Sequence, residues 1–181
     1  AHTAHRDIPY AQLDDVDPSL LSLDLYVPKG RASADGRPVL VMIHGGGWRR
    51  GDKANGTTVG AKMRHFVGNG YIYATVNYRL SPMEPGGDGE HHPVHAQDCA
   101  RALAWVHDHI DDYGGDPGRI HLMGHSAGAH LVGIVGTNER FLEAEGKSLA
   151  ILKTNVLLDT AALDIPRYLE RQDGKGMTAL Y

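Results

Sequence analysis

The sequence predicts an α/β domain built on a mainly parallel sheet, and three patterns in the chain predict it. Short apolar runs alternate with stretches of helical periodicity, the signature of βαβ units. Two of those runs, residues 39–43 and 119–123, end in glycine-bearing turns, at the strand ends where ligands bind in such folds. The first two runs, residues 6–12 and 20–27, are joined with no helix between them and so form an antiparallel N-terminal edge.

In the second run Leu21, Leu23 and Leu25 alternate with Ser22, Asp24 and Tyr26, as in a half-exposed antiparallel strand. A polar turn over residues 28–38 leads to residues 39–43, continuously apolar and therefore a central strand buried on both faces. After a glycine-rich loop, Val59, Met63, Phe66 and Val67 share one side of a helix that Gly68-Asn69-Gly70 ends. Residues 71–76 are the next strand, and residues 81–93 a loop rich in Pro, Gly and His. Cys99, Ala102, Leu103, Val106 and Ile110 recur at helical spacing within a helix over 94–113, which Gly114-Gly115-Asp116-Pro117 breaks. A strand over 120–123, a small-residue helix over 129–136 and a last strand over 152–158 complete the pattern.

The composition bounds the function. The chain has 181 residues, 41% hydrophobic and 22% charged, with net charge −4, which suits one globular domain and offers no basic block for nucleic acid. No apolar run reaches the roughly 18 residues of a membrane span. With one cysteine, Cys99, an internal disulfide is impossible, and its place on an apolar helix face reads as a buried structural thiol. The chain starts at Ala1 rather than methionine, which leans toward an exported, processed form and leaves the compartment open.

The chemistry sits in two glycine motifs about 80 residues apart. Gly124-His125-Ser126-Ala127-Gly128 reads G-x-S-x-G between a strand and a helix, where a tight turn thrusts the serine hydroxyl out of the backbone. His44-Gly45-Gly46-Gly47-Trp48 follows the buried strand, and side-chain-free residues there can turn backbone N–H groups into a shared cavity for a developing oxyanion. A phosphate loop is disfavoured, because neither G-K-[ST] nor G-x-G-x-x-G follows.

With these motifs, and with Gly51-Asp52-Lys53, Asn77-Tyr78-Arg79-Leu80-Ser81-Pro82 and Gly114-Gly115-Asp116-Pro117, the chain resembles the α/β-hydrolase superfamily. More narrowly it is similar to hormone-sensitive-lipase-like carboxylesterases and the kynurenine formamidase group. The resemblance implies Ser126 as nucleophile and an oxyanion hole of the Gly46, Gly47 and Ala127 N–H groups. The Ala127 N–H would open a helix, where donors lack partners and the dipole favours an anion. Trp48 and His125 are the candidate substrate contacts; Trp48 either lines the pocket or packs under the loop. The resemblance makes His44 a brace for its loop, not a base. His130 reads as a helix-packing residue, Arg79 and Asp98 as a structural ion pair, and the loop histidines His91, His92 and His95 as incidental. No metal or other cofactor is implied.

The order nucleophile, acid, histidine fails within this sequence, because no histidine follows His130. Asp159 and Asp164 follow the last strand, but the family places its acid one strand later. The expectation is therefore that residues 1–181 form the N-terminal portion of one catalytic domain. Its partners would be a small-molecule ester and the C-terminal remainder of the domain, which supplies the triad acid and base and covers the edge left open by residues 152–158. The alternatives are a formamidase-like amide hydrolase or a truncated, non-catalytic relative.

Overall fold

The structure is a computed structural model that describes residues 1–32, 34–84, 87–160, 163, 164 and 167. Residues 33, 85 and 86, in two of the predicted loops, lie outside the described residues. Among the described residues the strands are β1 (His2–Pro9), β2 (Ser22–Pro28), β3 (Arg37–Ile43), β4 (Ile72–Val76), β5 (Gly115–His125) and β6 (Leu152–Leu158). The α-helices are α1 (Gly60–Gly68), α2 (Val94–His109), α3 (Ala127–Val135) and α4 (Glu139–Glu143).

The six strands pair in the order β1-β2-β4-β3-β5-β6. β1–β2 and β2–β4 are antiparallel, whereas β4–β3, β3–β5 and β5–β6 are parallel. This is the predicted parallel sheet with an antiparallel N-terminal edge. β3 lies at its centre because it is apolar on both sides. Val39, Val41 and Ile43 join the core under α2 and α3, while Leu40 and Met42 join the smaller core under α1. Fully burying a side chain of this kind contributes about 1.5–3 kcal/mol.

Four expectations are corrected. β2 is not half-exposed: Ser22, Asp24 and Tyr26 are buried along with the leucines. The loop after β3 and helix α1 cover that face, and the polar groups are satisfied by partners that strand alternation cannot reveal. β1 runs earlier than predicted, with a register shift between His5 and Ile8 where Asp7 takes a φ of 55°. β5 begins at Gly115, not at residue 120; Arg37 pairs with Gly115, and the register shifts before Val39, which accommodates Pro117. The long helix ends at His109, and a 3₁₀ turn over Ile110–Tyr113 carries the chain to Gly114, whose φ of 76° favours glycine.

Candidate active site

Register brings the two glycine motifs together. Ile43 pairs with Gly124, so β3 and β5 end side by side, and the loop leaving β3 runs against the turn leaving β5. The contact is backbone to backbone. A Cβ on Gly45 would stand 2.7 Å from His125 O and 3.1 Å from the Ser126 Cβ. A Cβ on Gly128 would collide with the carbonyls of Ile43 and His44, and one on Gly124 with the backbone of Gly128. The glycines of G-x-S-x-G thus have a steric reason: α3 springs directly off β5 and wedges against the end of β3.

Between them Ser126 takes φ 55° and ψ −118°, a conformation that costs a non-glycine residue about 1–3 kcal/mol. Its N–H donates to Leu158 O at 2.9 Å and its carbonyl accepts from His130 N–H at 3.2 Å, which holds the strain in place. The side chain is half-buried, and its Oγ makes no hydrogen bond among the described residues. Ala127 is the first residue of α3, so its N–H has no intrahelical acceptor.

The facing loop is unusual in its backbone. Gly46, Gly47 and Trp48 have φ of 124°, 63° and 60°. The Gly46 carbonyl accepts from Arg49 and Arg50 N–H, while the Gly46 and Gly47 N–H groups donate to nothing among the described residues. Among the described residues, three backbone donors therefore have no acceptor on the two elements that flank Ser126.

The neighbouring histidines divide by burial. His44 is 2% exposed, stacks on Tyr78 at 4.4 Å and has its Nδ1 2.8 Å from Gly45 O. Burial pushes its pKa down, only partly offset by the Gly45 carbonyl and Asp52. It braces the loop. His130 is buried edge-on against Trp48 at 5.3 Å, and burial lowers its pKa to about 4. Trp48 itself is 8% exposed and belongs to the main core, so it packs beneath the loop. His125 is exposed, with its Nε2 3.8 Å from Asp159 Oδ2. Beside the junction lies a cavity of about 290 Å³ bounded by His44, Gly45, Gly46, Arg50, Thr58 and His125 among others.

Of the loop histidines, His95 is buried with its Nε2 3.0 Å from Ser81 Oγ, and His91 Nε2 lies 3.1 Å from Gly87 O. No group of three or more His, Cys, Asp or Glu residues fit to hold a metal occurs among the described residues. Arg79 and Asp98 form the expected ion pair, with Nε and Nη2 each 2.8 Å from the carboxylate. Sequence reasoning missed Lys53, Asp24 and Asn77, which form a buried network behind the loop. The signs of it were the polar residues at alternate positions of β2 and the presence of Lys53 and Asn77 in two of the sequence motifs, neither of which joins them to Asp24.

The model of the BD-FAE family matches residues 23–162, from β2 through the end of β6. The chain belongs to the BD-FAE family. This family member is 34% identical over 129 residues to the isoprenylcysteine alpha-carbonyl methylesterase ICME of Arabidopsis thaliana, covering 71% of this chain and 27% of the plant protein. It is 32% identical over 139 residues to the carboxylesterase NlhH of Mycobacterium tuberculosis, covering 77% of this chain and 40% of that one. Among solved structures it is similar to esterase 2 of Thermogutta terrifontis phosphoramylated by tabun. There the TM-score is 0.58 at 28% identity, over 72% of this chain and 46% of the other. The fold is that of the α/β-hydrolase esterases. The BD-FAE chain spans between 20% and 40% of the length of the curated relatives it matches. No helix among the described residues is long and apolar enough to cross a membrane.

Proposed function

We propose that this BD-FAE chain carries the nucleophile and oxyanion hole of a serine hydrolase that cleaves carboxylic esters. The observation that carries the reading is Ser126. It is strained at the β5–α3 junction, and among the described residues its hydroxyl makes no hydrogen bond and the neighbouring Gly46 and Gly47 N–H groups have no acceptor. Strain of this kind is expected where a side chain must be presented to a substrate. In the reaction Ser126 Oγ attacks the acyl carbon as its proton passes to a histidine. The Gly46, Gly47 and Ala127 N–H groups hold the resulting oxyanion, and the histidine passes its proton to the departing alcohol. Water, giving its proton to the same histidine, then attacks the acyl carbon and releases the acid as the proton returns to Ser126 Oγ. His125 borders the entering substrate, and Trp48 sets the floor under the donor loop.

The base is not one of the histidines that the fold brings near. His44 is committed to its own loop, His130 to Trp48, and neither they nor His125 hydrogen-bonds Ser126 Oγ. This supports a triad histidine, and with it the acid, supplied from outside these 181 residues, which on this reading form the N-terminal portion of a single catalytic domain. Asp159 follows β6 but is turned toward His125. The relatives named as a methylesterase and a carboxylesterase support ester over amide cleavage.

A fluorophosphonate probe applied to the full-length natural protein is expected to label Ser126, with labelling and p-nitrophenyl ester turnover both lost in Ser126→Ala. Labelling elsewhere, or turnover retained in the folded variant, overturns the reading. Faster cleavage of N-formylkynurenine than of the ester would move the substrate class to amides.

A further inference from the structure

The donor loop cannot hold itself. Between Ile43 and Lys53 four residues have positive φ, one of them the bulky Trp48, and among the described residues the backbone hydrogen bonds internal to the segment are the two to the Gly46 carbonyl, beside the His44 Nδ1 contact to Gly45 O. Such a segment keeps one conformation only if its surroundings over-determine it. The surroundings are the chain just past β4. At the entrance of the loop Tyr78 Oη donates to His44 O at 2.9 Å, and in the middle Ser81 N–H donates to Trp48 O at 2.8 Å. At the exit Asn77 Oδ1 accepts the Lys53 N–H at 2.6 Å, while Asn77 Nδ2 donates to Asp52 Oδ2 at 3.0 Å and Ser19 O at 3.1 Å. Asn77 is itself pinned, by its N–H to Ser22 O and by its carbonyl to Tyr10 Oη.

Lys53 fixes the same exit through its side chain. It is 4% exposed, and its Nζ lies 2.8 Å from the buried Asp24 and 2.6 Å from Asp7. Burial alone would lower its pKa, but the two carboxylates more than offset that and raise it, so the ammonium stays charged. A buried ion pair of this kind adds little to stability over well-packed apolar residues, and its best-attested use is to specify position. The exit is coupled mechanically to the donors. Gly51 packs on the start of the loop, where a Cβ would lie 2.5 Å from Gly45 O and clash with the His44 ring. A shift of residues 51–53 is therefore passed directly to Gly45 and Gly46.

We propose that Asn77 and Lys53 are positioning residues that hold the Gly46 and Gly47 N–H groups in register with Ser126. The proposal rests on the oxyanion reading above. Neither side chain touches substrate, so the expected signature is a loss in transition-state stabilisation with ground-state binding intact.

The test uses the full-length natural protein. It compares wild type with Asn77→Ala, with Lys53→Met, and with the double variant Asp24→Asn/Lys53→Met. The double variant leaves no buried charge unpaired if Lys53→Met does not fold. Each is assayed with a short p-nitrophenyl ester and with a trifluoromethyl ketone, whose adduct on serine carries an oxyanion. In variants with native near-UV circular dichroism, kcat should fall about 10–100-fold with KM within about twofold, and ketone affinity should weaken by a similar factor. Wild-type kcat and ketone affinity in folded Asn77→Ala and the folded double variant overturn the proposal, as does a rise in KM with kcat kept. Ser126→Ala is run in parallel. Turnover surviving there would overturn the nucleophile reading itself, whereas its loss beside an unaffected Asn77→Ala would sink only the positioning role.

Discussion

Replacing Gly128 by alanine isolates the steric coupling between α3, which follows Ser126, and the loop that follows β3. Gly128 lies in α3 with an ordinary helical φ, so alanine there relieves a backbone-entropy cost of about 1 kcal/mol. Against that, the new Cβ would stand 2.5 Å from His44 O and 2.8 Å from Ile43 C, and closer still to Ile43 O. Ordinary contact begins at 3.4 Å, so α3 and the end of β3 must part by about 1 Å. The obstacle is backbone and cannot rotate away. The steric term, about 1–3 kcal/mol or more, outweighs the propensity gain. On the proposed mechanism, a displacement of about 1 Å between Ser126 and the Gly46 and Gly47 N–H groups costs about 10²-fold in rate. Gly47→Ala is the control. Its Cβ would meet nothing within 4 Å, so it incurs only the left-handed penalty of φ 63°, about 1–2 kcal/mol. The assays are p-nitrophenyl ester turnover and thermal unfolding, in which each kcal/mol corresponds to about 2–4 °C for a chain of this size. Wild-type kcat in folded Gly128→Ala, or a larger kcat loss in Gly47→Ala, would refute the reasoning.

Asp98 is fully buried and accepts from Arg79 N–H, Nε and Nη2 and from Arg101 Nη1, so Asp98→Ala strips the Arg79 guanidinium of its buried carboxylate and leaves it only the half-exposed Glu90. The variant should lose about 3–5 kcal/mol in urea unfolding; a loss below about 1 kcal/mol would contradict the burial argument. His95 and His130 are each held down to about 4, chiefly by burial, although Asp98 pulls His95 upward. Both sit below the unfolded value of about 6.5, so the unfolded chain binds more protons between these limits. Their contribution is complete above about pH 6.5 and declines as pH falls toward 4, by about 1.4 kcal/mol per pH unit for each histidine. Urea midpoints measured from pH 7.5 to 5 should fall accordingly, and a slope unchanged in folded His130→Phe would exclude His130 as a source. Cys99 is 1% exposed, and burial pushes its thiol well above the ordinary range. It should react with a disulfide reagent only on unfolding, so rapid reaction of the native protein would show that the α2 face opens.

The elements were legible where one physical rule acts locally. β3 could be read as central because five consecutive apolar residues suit a strand buried on both faces. The Ser126 turn could be read because a strand and a small-residue helix flank a G-x-S-x-G. The starts of β1 and β5 were misplaced because edge pairing and register, not local composition, decide them. β2 shows the limit best. Its alternating Ser22, Asp24 and Tyr26 obey the pattern of a solvated face, and no local rule places Lys53 or α1 over them.

By itself the sequence determined the α/β class, the parallel sheet with its antiparallel edge, and the two motifs at strand ends, because hydrophobic period and glycine placement act within a few residues. Tertiary structure alone decided how those motifs meet. The Ile43–Gly124 register sets the loop against the turn, the close backbone approach explains each glycine, and the Asn77–Lys53–Asp24 network joins parts of the chain far apart in sequence. Those are long-range contacts between backbones and buried charges, and they take form only when the sheet assembles.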